Sequence, residues 1–177
     1  MNLTFESIVN PCDGYGSSAE QIAIALNRHK AINSVSFKSV IEDGEQNVEL
    51  LQNETLSLLG RNYINDLYLG YFQVDCLKDS CLTKAGQAGQ KRYIYTTWES
   101  TKPPANWAKH INLYDKLFVS CKMCKEAYES IGVDIPISII PLGVNEDLWP
   151  YKKRNRDGRP LRFFTFANAG WANYRKN

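Results

Sequence analysis

Apolar residues follow two rhythms along this chain. Short runs of branched or aromatic residues occupy 3–9, 35–41, 66–74, 91–98, 117–119 and 137–140. Between several of them, apolar positions recur every three or four residues: Ala19, Ile22, Ala23 and Leu26; Trp107, Ile111 and Tyr114; Met123, Ala127 and Ile131. The runs predict strands and the wider spacing predicts helices that lay one face on a sheet. A weaker helical pattern, with Val48, Leu51 and Leu56, covers 46–59. Residues 78–90 are polar, hold Gly86 and Gly89, and predict a loop. Strands alternating with helices imply parallel neighbours, because a tight hairpin cannot join two parallel strands. The expected fold class is therefore α/β, a Rossmann-like doubly wound parallel sheet. Ligands of such sheets sit beyond the carboxyl ends of the strands. Glu99, Ser120 and the Leu142–Gly143 turn each stand just past a predicted strand, which makes that rim the place to look for chemistry.

The punctuation between elements sharpens this picture. After the first strand, 10–16 reads as a loop, with Gly14, Tyr15 and Gly16 at its end. Ser17-Ser-Ala-Glu20 then has the form of a capping box, so a glycine loop should feed into a helix N-terminus. Free N–H groups and a positive dipole end there suit an anion or a sugar hydroxyl. The other reading is that the glycines only turn the chain. Gly14-Tyr-Gly16-Ser-Ser-Ala19 also matches GxGxxA, but four residues separate Val9 from Gly14, and Glu42 and Asp43 come too late for the ribose-binding acid. A dinucleotide fingerprint is not the preferred reading. Pro103-Pro104 ends the fourth strand and opens the next helix, and Gly132 is placed to close the one after.

Beyond Trp149-Pro150 the composition changes. Residues 151–160 are basic and polar, as in an interdomain linker, and 161–167 begins a new apolar strand. The expected organisation is a first domain over 1–150, a linker over 151–160, and at 161–177 the opening strand and loop of a second domain that the chain truncates. Charge follows the same division: 152–177 carries a net +7, whereas 1–151 carries −5. The basic stretch is short and broken by Gly158 and Pro160, so it reads as a solvated linker rather than a nucleic-acid surface.

An apolar fraction of 44% suffices for a core. No apolar run approaches the roughly 20 residues that span a bilayer. Met1–Glu6 lacks a basic segment followed by an apolar one, so a cytoplasmic location is the default expectation. Five cysteines, at 12, 76, 81, 121 and 124, suggest reduced thiols. Cys121-Lys-Met-Cys124 has metal-ligand spacing, but Cys76 and Cys81 do not supply a matching second pair. The plainer reading makes Cys121 and Cys124 small apolar residues at a helix start. No metal is expected. Neither His29 nor His110 follows a strand end, so neither is a favoured base.

Several segments together resemble a known family: Tyr95-Thr-Thr-Trp-Glu99-Ser-Thr-Lys-Pro-Pro-Ala-Asn-Trp107, Asp115-Lys-Leu-Phe-Val-Ser120, Gly132-Val133, Ile140-Pro-Leu-Gly-Val-Asn145, and the glycine turn at Gly14–Gly16. Their order and spacing are similar to the N-terminal half of GT-B glycosyltransferases of the retaining, nucleotide-sugar-dependent class. Arg175-Lys176 resembles the Arg-Lys found early in the second domain of that family. The resemblance implies two Rossmann-like domains, the first contacting the acceptor and the second the donor. It implies that Gly14, Tyr15, Gly16 and Ser120 border the sugar site, that Glu99 is the candidate catalytic carboxylate, and that Arg175 and Lys176 neutralise the donor diphosphate. It implies no cofactor beyond the nucleotide-sugar co-substrate. The acceptor would be a glycan, lipid or protein, and this chain would be inactive alone. The sequence departs from the family where Asn145 replaces the usual Asp and Trp98-Glu99 replaces the usual His. Each residue also has a purely structural reading: Glu99 as a helix cap or a partner for Lys102, Ser120 as an N-cap, Arg175 and Lys176 as solvated charges. The competing functions are a non-catalytic sugar- or nucleotide-recognition module and a nicotinamide-dependent oxidoreductase.

Overall fold

A computed structural model describes residues 1–12, 14–40, 47–61, 66–74, 90–153, 158 and 160. Among the described residues six strands form one sheet: β1 (Asn2–Ser7), β2 (Ser34–Ser39), β3 (Leu67–Tyr71), β4 (Lys91–Thr96), β5 (Lys116–Val119) and β6 (Ile137–Ile139). Every pairing is parallel and the order is β2-β1-β3-β4-β5-β6. All six predicted runs became strands, each trimmed or shifted by a residue or a few. The predicted loop at 78–90 and the strand at 161–167 lie outside the described residues, Gln90 apart.

Helices cover both faces. The first, α1 (Gly14–Arg28), packs with the short α2 (Asn53–Leu56) over a core of Leu3, Phe5, Val35, Phe37, Leu58 and Tyr71. On the opposite face α3 (Trp107–Ile111) and α4 (Lys122–Glu129) cover Tyr68, Phe72, Ile94, Leu117 and Val119. Strand residues alternate between these cores because neighbouring side chains leave a strand on opposite sides. Two apolar faces explain why the runs lack strict polar alternation.

The weak helical pattern at 46–59 resolved into a 3-10 turn (Val48–Leu50) and the four-residue α2. Asn47 precedes them at φ 43°, a left-handed value that asparagine tolerates better than most residues. Leu51 and Leu58 are buried there while Leu56 is exposed, so the apolar side chains do not follow one helical stripe. The third predicted helix is also shorter than its apolar spacing. Beyond Ile111 the chain tightens into i→i+3 bonds from Leu113 to His110 and from Tyr114 to Ile111, which still deliver Tyr114 to the core. In α4 the buried positions are Cys124, Ala127 and Tyr128, and Met123 is exposed, contrary to the expected face. Tyr128 supplies the bulk that an aliphatic reading of the stripe overlooked. Gly132 closes this helix at φ 91°, while Val133 donates back to the Tyr128 carbonyl at 3.3 Å.

The chain divides into two compact units, Met1–Gly143 and Val144–Asn177. The sheet and its helices lie in the first. In the second, Asn145 organises a turn: its side-chain oxygen accepts from the Asp147 amide at 3.0 Å, and its carbonyl accepts from Trp149 at 2.9 Å. Among the described residues no helix is long and apolar enough to cross a membrane.

Candidate functional site

Helix α1 runs from β1 out to β2 on one side, whereas the chain after β3 builds strands toward the other. β1 and β3 are neighbours, so the connections diverge between them. Sheets of this kind open a crevice for ligands at the carboxyl end of that pair.

The turn after β1 is tied down by Asn10. Its side-chain oxygen accepts from the Cys12 amide at 3.0 Å and from the Asn47 amide group at 3.2 Å. Helix α1 then starts at Gly14, four residues ahead of the first helical position implied by the Ser17–Glu20 pattern. Ser17 is therefore not an N-cap. Ser18 Oγ donates back to the Gly14 carbonyl at 2.8 Å. Glu20 is buried, and its carboxylate accepts from the Gln52 amide at 2.7 Å, pinning α1 to the chain before α2 rather than closing a capping box. The two glycines also differ from a loop pair. Both sit in the first helical turn, and Gly16 lies flat on Asn10: a Cβ there would stand 1.9 Å from the Asn10 carbonyl oxygen. Gly14 has open space. Close approach of a helix to the preceding turn, not positive φ, is what requires Gly16.

Between them, Tyr15 reaches across the sheet end. Its ring packs on Tyr71 at 5.1 Å between centroids, and Tyr71 packs on Tyr95 at 5.2 Å. Tyr71 and Tyr95 are register partners in β3 and β4. The Tyr15 hydroxyl shares a hydrogen bond with Thr97 Oγ1 at 2.7 Å and accepts from the Thr97 amide at 3.3 Å. Tyr95 continues the row by donating to the Ile140 carbonyl, past the end of β6, at 2.7 Å. Burial, with the neighbouring Tyr71 and Tyr15 hydroxyls, pushes the Tyr95 phenol up to about 12, so it remains a neutral donor.

The corner after β4 is held from its other side too. The Trp98 ring meets Trp107 edge-on at 4.9 Å, and its carbonyl accepts from the Cys124 thiol at 3.1 Å. Glu99 follows as an exposed residue of the same corner. Asn106, not Glu99, occupies the N-cap position of α3. Ser120 comes directly after β5, half-buried, with its hydroxyl 3.6 Å from Cys124 Sγ. The N-cap of α4 is Cys121, so Ser120 does not cap that helix. Gly14, Tyr15, Gly16, Glu99 and Ser120 thus all lie at the carboxyl edge of the sheet, with Tyr15 bonded two residues from Glu99. Arg175 and Lys176 lie outside the described residues. Among the described residues no group of three or more His, Cys, Asp or Glu side chains is arranged to hold a metal ion.

Reading the sequence alone did not single out Asn10, Tyr71, Tyr95 or Thr97. A usable signal was present: a tyrosine in each of two successive predicted strands, Tyr71 and Tyr95, and a third, Tyr15, just ahead of the first predicted helix. Comparisons with protein-family models, with curated proteins and with solved structures find no match.

Proposed function

We propose that this chain forms the acceptor-side lobe of a glycosyltransferase that moves a sugar from a nucleotide-sugar to a glycan, lipid or protein acceptor. The observation that carries this reading is the 2.7 Å bond between the Tyr15 hydroxyl and Thr97 Oγ1. It joins the first turn of α1 to the Trp98–Glu99 corner after β4, at the carboxyl edge of a parallel sheet. A sugar hydroxyl needs neutral donors and acceptors fixed on rigid elements, together with one carboxylate able to orient or deprotonate it. Tyr15, Ser120 and the first turn of α1 fill the first role and Glu99 the second. On this reading Arg175 and Lys176 belong to the donor side, where cations offset charge that grows on the departing diphosphate. The co-substrate is the nucleotide-sugar, with no metal and no further cofactor, and the site works in the cytoplasm.

The test pairs binding with turnover. Glycan-array binding to the 177-residue chain is measured alongside nucleoside-diphosphate release from nucleotide-sugars that differ in base and sugar. Tyr15→Ala and Glu99→Gln should each weaken acceptor binding at least about tenfold, equivalent to about 1.4 kcal/mol, with unchanged circular dichroism. Because the acceptor-side lobe is expected to be inactive alone, absence of diphosphate release is the expected outcome, and failure of the 177-residue chain to bind any glycan would overturn the reading. Tight binding of a reduced nicotinamide cofactor at Gly14–Ala19, without glycan binding, would replace the reading with the oxidoreductase.

A further inference from the structure

The sugar-transfer reading leaves unused the two thiols that open α4. Cys121 is the N-cap residue, with extended backbone (φ −157°, ψ 171°), and it is exposed. Cys124, in the first turn, is only 2% exposed. Their sulfurs are 3.4 Å apart. A disulfide bond is about 2.05 Å long, so side-chain rotation closing the gap by roughly 1.4 Å joins them without unwinding the helix. Both are free thiols in the structure.

Their surroundings differ in the way thiol–disulfide exchange requires. The backbone N–H of Cys124, then the Cys124 thiol, Ser120 and the N–H of Met123 face the Cys121 sulfur and hold its thiol below the ordinary cysteine range. A thiolate at a helix N-terminus is the attacking form in such exchange. Cys124 donates to the Trp98 carbonyl at 3.1 Å and lies beneath the helix, out of reach of an incoming molecule but in contact with Cys121. One exposed sulfur that meets the substrate and one covered sulfur that completes the reaction make a functional pair. A metal reading lacks a third ligand among the described residues.

We propose that Cys121 and Cys124 form a reversible dithiol–disulfide site whose substrates are small or protein-borne disulfides. Cys121 thiolate attacks one sulfur of a disulfide RSSR, the S–S bond breaks, and RS⁻ leaves with the proton that Cys121 gave up. Cys124 then attacks the Cys121 sulfur of the mixed disulfide. Its proton goes to the second departing RS⁻. Two protein thiols are oxidised by two electrons, and one RSSR is reduced to two RSH. The test does not depend on sugar transfer, because the disulfide is read directly.

The reduced 177-residue chain is equilibrated with glutathione and glutathione disulfide across a series of ratios, acid-quenched, alkylated and digested with trypsin. Cleavage after Lys116, Lys122 and Lys125 releases residues 117–122 and 123–125 as separate peptides unless the disulfide joins them. The joined pair should rise in one two-electron transition. Cys124→Ser should stop at a Cys121–glutathione adduct, and Cys121→Ser should lose glutathione reactivity at Cys124. Circular dichroism of all three proteins confirms that the sheet is intact. The proposal falls if the joined peptides never accumulate, if glutathione persists on Cys121 of the parent, or if Cys121 instead pairs with Cys12, Cys76 or Cys81.

Discussion

Gly16 offers the sharpest test of how the site is built. Replacing glycine by alanine inside a helix ordinarily adds up to about 1 kcal/mol of stability, because the glycine backbone loses more freedom on folding. At Gly16 the sign should reverse. The new methyl would stand 1.9 Å from the Asn10 carbonyl oxygen, 2.6 Å from its carbon and 2.8 Å from its nitrogen. All three are backbone atoms, so no side chain can rotate away. Either α1 shifts outward or the Asn10 turn opens. Overpacking of this kind costs about 1–3 kcal/mol, and a clash against main chain belongs at the upper end. After the gain in helix propensity is subtracted, Gly16→Ala should lose about 2 kcal/mol, roughly a 30-fold change in the folded-to-unfolded ratio. Gly14→Ala is the internal control. It lies in the same helical turn with nothing within 4 Å of a new Cβ, so it should be neutral or slightly stabilising. Urea unfolding followed by circular dichroism measures both, with comparison of midpoints valid where the slopes agree. If Gly16→Ala proves as stable as the parent, close approach to Asn10 is not what that glycine serves.

The Tyr15–Thr97 bond should show a coupling energy of about 1 kcal/mol in a double-mutant cycle of Tyr15→Phe and Thr97→Val, read by the same unfolding assay. Tyr95, raised to about 12, should ionise late in an ultraviolet titration, together with the buried Tyr68 phenol that is also pushed well up, and Tyr95→Phe should shrink that late component by one phenol. The folded value exceeds the unfolded one, so this phenol's contribution is complete below pH 10 and is lost as pH rises toward 12. Glu54 is held below the ordinary carboxylate range chiefly by its hydrogen bond from Arg28, with Nη2 at 2.7 Å, so its smaller effect is present above that range and lost on acidification. Arg28→Gln should flatten the acid limb of a stability–pH curve. Ile111→Ala should cost about 2–5 kcal/mol in denaturant unfolding, since Ile111, the last residue of α3, is fully buried against the sheet.

The strands were legible because burial on both faces leaves a local mark: runs such as Tyr93–Tyr95 or Leu117–Val119 are apolar without interruption. The helix boundaries were less so. Ser17-x-x-Glu20 has every chemical feature of a capping box, yet Glu20 is drawn to the amide of Gln52, 32 positions away, and the helix begins earlier. No local rule anticipates a partner that only the folded chain brings near. The same holds for Gly16, whose neighbour Asn10 is visible in sequence but whose contact with it is not. In α4 the expected edge holds at Ala127, which is buried, and at Ile131, which packs against the core, but not at Met123, which is exposed while Cys124 and Tyr128 are buried. At the candidate site the residue types at strand ends were readable. The row Tyr15–Tyr71–Tyr95 was not, because it depends on β3 lying between β1 and β4.

That strand order also governs how the molecule is made. Once β1 and β3 have paired, each later strand docks against the one translated just before it, so the sheet extends in a single direction as the chain emerges from the ribosome. The one contact that must wait is β1 with β3, since Leu3 meets Leu67 only after the whole of β2 has been synthesised and set aside. Non-local parallel pairing of this kind is slow. The β1 edge that later pairs with β3 stays unpaired through that interval, and an unpaired strand edge is a template for association with another chain.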